Sequence, residues 1–369
     1  MIPVNEPLIT KSDARAVYDS IKKGWISSAG PQVKIFETKF KKMIKKKYCS
    51  LVSNGTAALE IAVKSLNLKK NSEVIIPNFT IISNALAVQK QNLKPILIDC
   101  DLNNWNMKIE DIENAITKNT KAIIATHIYG YPIDMVKIKS ICKKYNLYLI
   151  EDAAEMIGHK FKKKYCGSFG DISTFSFYSN KHITTGEGGA ILTNSKKLDS
   201  KIKDLRNLCF GRINRYNHSD LGWNYRFTNI QASLGLSQLK RIKKIIREKK
   251  KIGKIYYKYL KNNNNIYIQK PRIKNFSNVY WVVGVVIKKT KYKAKIIREK
   301  LAKLGIETRS FFWPMHKQEV FKKLKIKFNG NFPNSEYLCK YGFYLPSSLN
   351  LTEKKIKFIC NNLSNLFKN

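Results

Sequence analysis

The sequence predicts an α/β protein with a large, mostly parallel sheet covered by helices, followed by a smaller α+β part. Over the first 200 residues, segments rich in β-branched residues alternate with helix-like segments, which is the rhythm of βαβ units. A Lys-rich stretch from about 229 to 260 is typical of a long helix, with room for one break, that leads into the smaller part. We therefore expect a large domain at residues 1–240, including the N-terminal segment, and a small domain at 241–369.

The elements of the large domain follow in chain order. The expected strands are Ser50–Ser53, Glu73–Ile76, Lys94–Ile98, Ala122–His127, Tyr148–Glu151, Ile172–Phe177 and Ala190–Thr193. The expected helices include Ala57–Leu66, Ile109–Ile116 and Met135–Tyr145. In such sheets ligands collect at the carboxyl ends of the strands, so the residues that follow each strand are the candidates for chemistry.

The smaller part has its own pattern. Tyr280–Ile287 is expected to form a buried strand, and Ala294–Leu304 a helix ended by Gly305, the residue that commonly stops a helix. Ile306–Phe311 would be the returning strand, and Thr352–Phe367 the last helix.

Composition excludes several classes of protein. The hydrophobic fraction is 43%, as in an ordinary globular protein rather than a disordered one. No apolar run is long enough for a transmembrane helix, the N-terminus lacks the features of a signal peptide, and the seven cysteines form no CxxC pair. We expect a soluble protein of a reducing cytoplasm, with no membrane association, no disulfide framework and no metal site.

The net charge of +43 raises the alternative of a nucleic-acid binder. Only ten of the 69 cationic residues are Arg, the side chain best suited to reading bases. The lysines are spread along the whole chain rather than clustered. A solvated basic surface is therefore the favoured explanation, and no nucleic-acid partner is expected.

Two strand ends carry polar groups suited to an anionic, ring-containing ligand. Asn54-Gly55-Thr56-Ala57 follows the first strand and opens a helix, where free N–H groups suit a phosphate. The alternative there is a plain turn with Thr56 as the helix N-cap. Glu151 and Asp152 end another apolar strand, where a buried carboxylate needs a cation. That cation could be a protein side chain or a protonated ring nitrogen of a cofactor.

Lys181 follows the strand Ile172–Phe177 and precedes a turn with Gly186, Gly188 and Gly189. Partial burial would lower the pKa of this amine and free it for Schiff-base chemistry. The glycine spacing matches neither GxGxxG nor GxxxxGK[ST], which argues against a pyrophosphate loop. A phosphate cradle, a carboxylate for a ring nitrogen and a lysine for an aldehyde together are what pyridoxal 5'-phosphate requires.

The segments VSNGTAAL, VIIPNFT, IEDAAEMIG, GSFGDISTFSFYSNKHITTGEGG and GWNYRFTNIQASLG resemble the DegT/DnrJ/EryC1/StrS family of sugar aminotransferases, of fold type I, over nearly the whole chain. IPVNEP, GWISSAG and RSFFWPMH further resemble its GDP-perosamine synthase branch. The resemblance implies a fold type I pyridoxal-phosphate-dependent transferase. It implies transfer of an amino group from L-glutamate to a nucleotide-linked 4-keto-6-deoxyhexose, in surface-polysaccharide synthesis.

The resemblance also implies roles for particular residues. Lys181 would form the Schiff base with the cofactor, Asp152 would pair with the pyridinium nitrogen, and Glu155 would lie beside the ring hydroxyl. Gly55, Thr56, Ala57 and Ser176 would hold the phosphate, Asn224 would reach it from the other subunit of a homodimer, and His316 would line the substrate site.

The sequence departs from the family pattern at one position. An aromatic residue that commonly packs on the cofactor ring is replaced by Ile81, so either Ile81 or Phe79 would take that place. A dehydratase branch of the family carries His where Lys181 stands, which favours transamination here. Another keto sugar, linked to UDP or dTDP, or a small phosphorylated ketone remains an alternative acceptor.

Overall fold

The computed structural model describes residues 1–211, 213–288 and 292–367. The elements of the first part are α1 (Lys11–Lys22), α2 (Pro31–Ile44), β1 (Tyr48–Val52), α3 (Gly55–Ser65), β2 (Glu73–Pro77), α4 (Ser83–Gln89), β3 (Lys94–Ile98), β4 (Thr120–Thr126), α5 (Met135–Lys144), β5 (Tyr148–Asp152), β6 (Lys160–Phe161), β7 (Lys164–Tyr165), β8 (Ile172–Ser176), β9 (Gly189–Thr193), α6 (Lys196–Leu205), α7 (Asn229–Lys240) and α8 (Ile242–Leu260). Those of the second part are β10 (Ile266–Ile268), β11 (Arg272–Ile273), β12 (Phe276–Ser277), β13 (Val283–Ile287), α9 (Ala294–Lys303), β14 (Arg309–Ser310), α10 (Glu319–Lys323), α11 (Pro333–Tyr341), β15 (Gly342–Leu345) and α12 (Glu353–Asn365).

A seven-stranded sheet with the order β1-β9-β8-β5-β4-β2-β3 organises the first part. β9 runs antiparallel to its neighbours β1 and β8, and the other pairs are parallel. The central strands are almost entirely buried, because helices cover both faces of the sheet. The predicted α/β class with a large, mostly parallel sheet is confirmed.

The second part contains a four-stranded antiparallel sheet with the order β10-β13-β15-β14. Its core includes side chains from α8, α9 and α12. The N-terminus also joins this part, because the N–H of Ile2 donates to the carbonyl of Gly305 at 2.7 Å. Arg241 separates α7 from α8, so the Lys-rich stretch does contain the break that its length allowed.

An aromatic cluster connects the two sheets. Phe79, Trp105 and Tyr129 from the first part pack with Trp281 and Phe311 from the second. Trp105 and Tyr129 are fully buried, and the centroids of the Tyr129 and Phe311 rings are 4.8 Å apart. Large rings bury more apolar area per residue than aliphatic side chains, so this cluster fixes one sheet against the other.

Three expected elements of the chain are wrong in detail. Ile109–Ile116 forms two short 3-10 turns without side-chain caps, because Ile112 is the buried residue of this segment and one residue cannot supply the apolar face of an α-helix. Tyr280 has φ of 54°, so the strand expected from Tyr280 begins instead at Val283. The expected strand Ile306–Phe311 is reduced to Arg309–Ser310, because Ile306 pairs with Ile2 instead.

Candidate active site

A cavity of about 640 Å³ opens at the carboxyl ends of β4, β5 and β8, beside the start of α3. Thr126, Asp152 and Ser176 are the last residues of these strands, and all three line the cavity. The cavity therefore lies at the edge of the sheet where the strand-end residues were expected to meet. The cavity also brings together Gly55, Thr56, Ala57, Glu155 and Lys181.

The phosphate-cradle candidates lie at the N-terminus of α3. A Cβ placed on Gly55 would come within 2.9 Å of the Ser176 Cβ, so only glycine allows these two segments to approach so closely. The Thr56 Oγ1 lies 2.8 Å from the Ser83 Oγ. The helix is capped by Asn54, whose Oδ1 accepts from the Ala57 N–H at 2.8 Å. The alternative in which Thr56 is the helix N-cap is therefore wrong. The Thr56 hydroxyl instead contacts Ser83, and both residues line the cavity.

The adjacent carboxylates Glu151 and Asp152 have different environments, because successive side chains of a strand point to opposite faces. Glu151 accepts from His127 Nε2 at 3.1 Å and from the N–H groups of Phe169 and Gly170 at 2.7 and 3.0 Å. Burial opposes ionisation of Glu151, but these hydrogen bonds outweigh it and lower its pKa. Glu151 is thus satisfied within the protein core.

Asp152 faces the cavity. Its Oδ1 accepts from the Ala154 N–H at 3.2 Å, and its Oδ2 accepts from the Asn84 amide at 3.3 Å. Burial raises the pKa of Asp152, although Ala154 and the charge of Lys181 oppose that shift. Within the described residues no cationic side chain forms an ion pair with Asp152. A buried carboxylate of this kind is suited to a protonated ring nitrogen.

Lys181 lies between a carboxylate and an aromatic face. Its Nζ is 3.8 Å from the Glu155 Oε1 and 3.6 Å from the centroid of the Trp281 ring. Burial lowers the pKa of Lys181 while Glu155 and Asp152 oppose this, and burial raises the pKa of Glu155. The pair is therefore less strongly ionised than it would be in water, which favours a nucleophilic amine.

Two residues that sequence reasoning did not assign to the site hold this pair in place. The Tyr129 N–H donates to the Glu155 Oε2 at 2.6 Å, and the Tyr129 ring stacks on Trp281 with centroids 6.0 Å apart. The Trp281 Nε1 donates to the Asn180 carbonyl at 2.8 Å. Trp281 lies within the segment Tyr280–Ile287, which was expected to be a buried strand. Its neighbours Val279 to Val283 are all apolar or aromatic, so nothing in the local sequence distinguished Trp281 from a core residue.

Ile81 and Phe79, the two candidates for packing on a cofactor ring, have different positions in the structure. Ile81 lines the cavity with 46% of its surface exposed. Phe79 is fully buried and packs on Tyr129 and Phe311. Ile81 is therefore the one of the two that faces the cavity.

Two expected site residues lie outside this cavity. Asn224 is exposed, and its Oδ1 accepts from the Arg226 Nε at 2.7 Å. The His316 Nδ1 lies 3.1 Å from the Asn78 Oδ1, and its Nε2 lies 3.0 Å from the Glu336 Oε1. The His316 ring packs against Phe332. Roles for both in binding a ligand remain predictions.

Among residues 1–211, 213–288 and 292–367, no cluster of His, Cys, Asp and Glu is arranged to hold a metal ion. Within the same ranges, no helix has the length and hydropathy that a membrane crossing requires.

Residues 7–364 match the DegT/DnrJ/EryC1/StrS aminotransferase family, and the chain belongs to this family. It is therefore a pyridoxal-phosphate-dependent aminotransferase, as its sequence predicted.

Similar proteins cover the whole chain. It is 38% identical over 366 residues to a GDP-perosamine synthase of Escherichia coli O157:H7, an alignment that covers 99% of this chain and 98% of the relative. It is 36% identical over 371 residues to a GDP-perosamine synthase of Vibrio cholerae, with 100% and 99% covered. The fold is similar to that of an E. coli GDP-4-keto-6-deoxy-D-mannose-3-dehydratase with bound hydrated pyridoxal phosphate, at 24% identity and a TM-score of 0.91, covering 98% of this chain and 99% of that one.

The residues of the cavity fit this cofactor. Gly55 and Thr56 begin α3, so their N–H groups have no partner within the helix and suit a phosphate. Asp152 is a buried carboxylate that forms no ion pair with the described side chains, and the Lys181 amine is in the same cavity.

Proposed function

We propose that the protein transfers the amino group of L-glutamate to a nucleotide-linked 4-keto-6-deoxyhexose, with GDP as the favoured nucleotide. The full-length similarity to two GDP-perosamine synthases supports this acceptor. The observation that carries the chemistry is the position of the Lys181 amine, 3.8 Å from Glu155 in the cavity that also contains Asp152.

Each residue has a distinct task in this proposal. When bound, pyridoxal phosphate supplies an aldehyde and an electron-withdrawing ring. Asp152 holds a proton at the ring nitrogen, and Lys181 supplies the amine that anchors the cofactor. With its amine free, Lys181 would accept at Nζ the proton that leaves the donor's α-carbon. Burial lowers the pKa of Lys181, and the nearby Glu155 opposes that shift. Glu155 would therefore keep both the ammonium and the amine form of Lys181 accessible.

The phosphate contacts are a further part of the proposal. Gly55 and Thr56 would present N–H groups to the phosphate, and Thr56 and Ser176 would add hydroxyl groups. The Ala57 N–H already donates to the Asn54 Oδ1, so Ala57 would line the phosphate site without donating to it. Asn224 would contact the phosphate of the partner subunit's site in a homodimer. Its exposure and its position outside its own cavity support this arrangement.

His316 would contribute to the acceptor site, as the segment RSFFWPMH suggests. The seven cysteines are all unpaired, which supports the proposal that the protein works in the reducing cytoplasm, where nucleotide sugars for surface polysaccharides would be modified.

A panel of acceptors tests the proposal. The purified protein, loaded with pyridoxal phosphate, is given L-glutamate and GDP-, UDP- or dTDP-linked 4-keto-6-deoxyhexoses, and 2-oxoglutarate is measured. We expect the highest kcat/KM with the GDP-linked sugar, no turnover by Lys181→Ala, and parental turnover by the surface control Lys163→Ala. Higher kcat/KM with another keto sugar would replace the proposed acceptor, and turnover by Lys181→Ala would contradict the chemistry.

A further inference from the structure

A second, much smaller cavity of about 30 Å³ lies beside the Lys181 segment. Its walls come from the N-terminal residues 5–8, the segment 179–182, helices α7 and α8, and Ser347. Asn180 and Lys181 line both this cavity and the larger one. It has no part in the proposed reaction.

Unpartnered polar atoms are concentrated in this place. In the described part of the chain, eleven buried side-chain nitrogen or oxygen atoms have no hydrogen-bond partner, and five of them belong to residues that line this cavity. They are Asn180 Oδ1, both ring nitrogens of His182, Gln238 Nε2 and Arg241 Nε. Since buried polar groups are nearly always satisfied, such a cluster points to a bound ligand.

Lys249 gives this lining a buried amine that carries a positive charge when it is protonated. Its side chain is buried, and its Nζ donates to the carbonyl and the hydroxyl of Ser347 at 2.8 and 3.3 Å. These are two of its three N–H bonds, so one donor remains. No carboxylate among the described residues forms an ion pair with Lys249. Burial lowers the pKa of Lys249 to about 7, so its ammonium form is favoured as the pH falls below neutrality.

The other titratable groups in the lining do not neutralise this charge. Arg241 is paired with Asp13. Glu6 is exposed, and its Oε2 accepts from the Asn350 amide. The Lys181 Nζ lies beside Glu155 in the larger cavity. The fourth group, His182, is held neutral because burial lowers its pKa well below the ordinary value.

The orientation of Gln238 adds a second donor. The Thr184 N–H donates to the Gln238 Oε1 at 2.9 Å, which fixes the amide and leaves Nε2 as the free group. With Lys249 and the Arg241 Nε–H, the lining therefore presents more donors than acceptors.

We propose that this cavity binds one small monovalent anion of the chloride class, held by Lys249, Gln238 and Arg241. The volume exceeds the 10–15 Å³ that a single water needs and suits a monatomic ion. Water would satisfy the amide but would leave the Lys249 charge uncompensated in the protein interior, which is costly. The ion would stabilise the Lys181–His182 segment against α7 and α8.

The test measures the thermal unfolding midpoint of the full-length, cofactor-loaded protein at pH 6 and constant ionic strength, with sodium gluconate replaced stepwise by chloride or bromide. We expect a rise that grows with the logarithm of halide concentration above the Kd and reaches roughly 2 °C at about a tenfold excess of ligand over its Kd. Lys249→Met and Gln238→Glu should abolish the rise, the second because its carboxylate replaces the ion while keeping the bond to Thr184. The matched control Lys251→Met, exposed on the same helix, should retain it.

Crystals soaked in bromide provide a direct readout, with an anomalous peak expected between Lys249 and Gln238. If Lys249→Met does not fold, Gln238→Glu and the bromide peak still decide the question. If the cavity holds only water, neither the anomalous peak nor a halide-specific rise of the unfolding midpoint should be seen. That result would overturn the proposal. A rise that persists in Gln238→Glu would place the ion elsewhere and would overturn it equally.

Discussion

Replacing Trp281 with leucine should make the Lys181 ammonium easier to deprotonate in the cofactor-free protein. The Trp281 ring centroid is 3.6 Å from the Lys181 Nζ, and an aromatic face stabilises a cation at this distance. Leucine removes the attraction and leaves the burial that already lowers the pKa of Lys181. The pKa of Lys181 should therefore fall further.

The size of the effect follows from the geometry. A desolvated cation–π contact contributes about 2 kcal/mol. Since 1.36 kcal/mol corresponds to a factor of ten between protonation states, the ratio of ammonium to amine at fixed pH should fall roughly 30-fold. Loss of the large side chain should also lower the free energy of unfolding, but that loss by itself does not predict a change in titration.

The assay follows acylation of Lys181 in the cofactor-free protein over a pH series, with the Lys181 peptide quantified by mass spectrometry. Trp281→Phe keeps an aromatic ring and should show a smaller shift. Trp313→Leu is the matched control, because Trp313 is 56% exposed and does not line the cavity. If the Lys181 amine of Trp281→Leu titrates at the parental pH or higher, the reasoning fails, since water entering the site would then outweigh the lost contact.

Three further changes test other parts of the structure. Gly55→Ala places a Cβ 2.9 Å from Ser176 and should weaken pyridoxal phosphate binding about tenfold or more in a fluorescence titration; unchanged affinity would remove the cradle from this position. Glu151→Gln should cost about 3 kcal/mol in urea unfolding at pH 7. Because the folded-state pKa of Glu151 is lowered, its stabilisation is present above the ordinary carboxyl pKa and is lost as pH falls through the folded value. The difference should therefore shrink in acid, and a constant difference would refute the assignment. Mixing Lys181→Ala with an inactive Asn224→Arg variant should restore up to roughly a quarter of parental turnover if two subunits share each site; no recovery after verified subunit exchange would argue against sharing.

Much of the candidate site could be predicted because its residues follow strands whose apolar sequence pattern is clear. The patterns around Asp152 and Ser176 locate the carboxyl edge of the sheet, where Lys181 also lies. Trp281 could not be found in this way. It comes from the second part of the chain, and its apolar neighbours made it resemble a core strand residue.

Backbone conformation explains another part of what was missed. Tyr129 and Tyr280 have positive φ angles of 53° and 54°, which residues other than glycine rarely adopt. Tyr129 directs its N–H to Glu155, and Tyr280 immediately precedes Trp281. Tyr129 packs in the aromatic cluster and Tyr280 in the core of the second part. This tertiary packing stabilises both conformations, so local sequence preference did not reveal them.

The sequence by itself determined the alternation of strands and helices, the family and the cofactor, and it predicted Lys181 as the lysine that binds the cofactor, because hydrophobic periodicity and short motifs are local properties of the chain. Only the tertiary structure decided which of two neighbouring carboxylates is satisfied in the core, which side chain faces the Lys181 amine, and that Lys249 lies buried with no carboxylate of the described residues paired to it. These outcomes depend on groups far apart in sequence, whose electrostatic environment exists only after the two sheets have packed together.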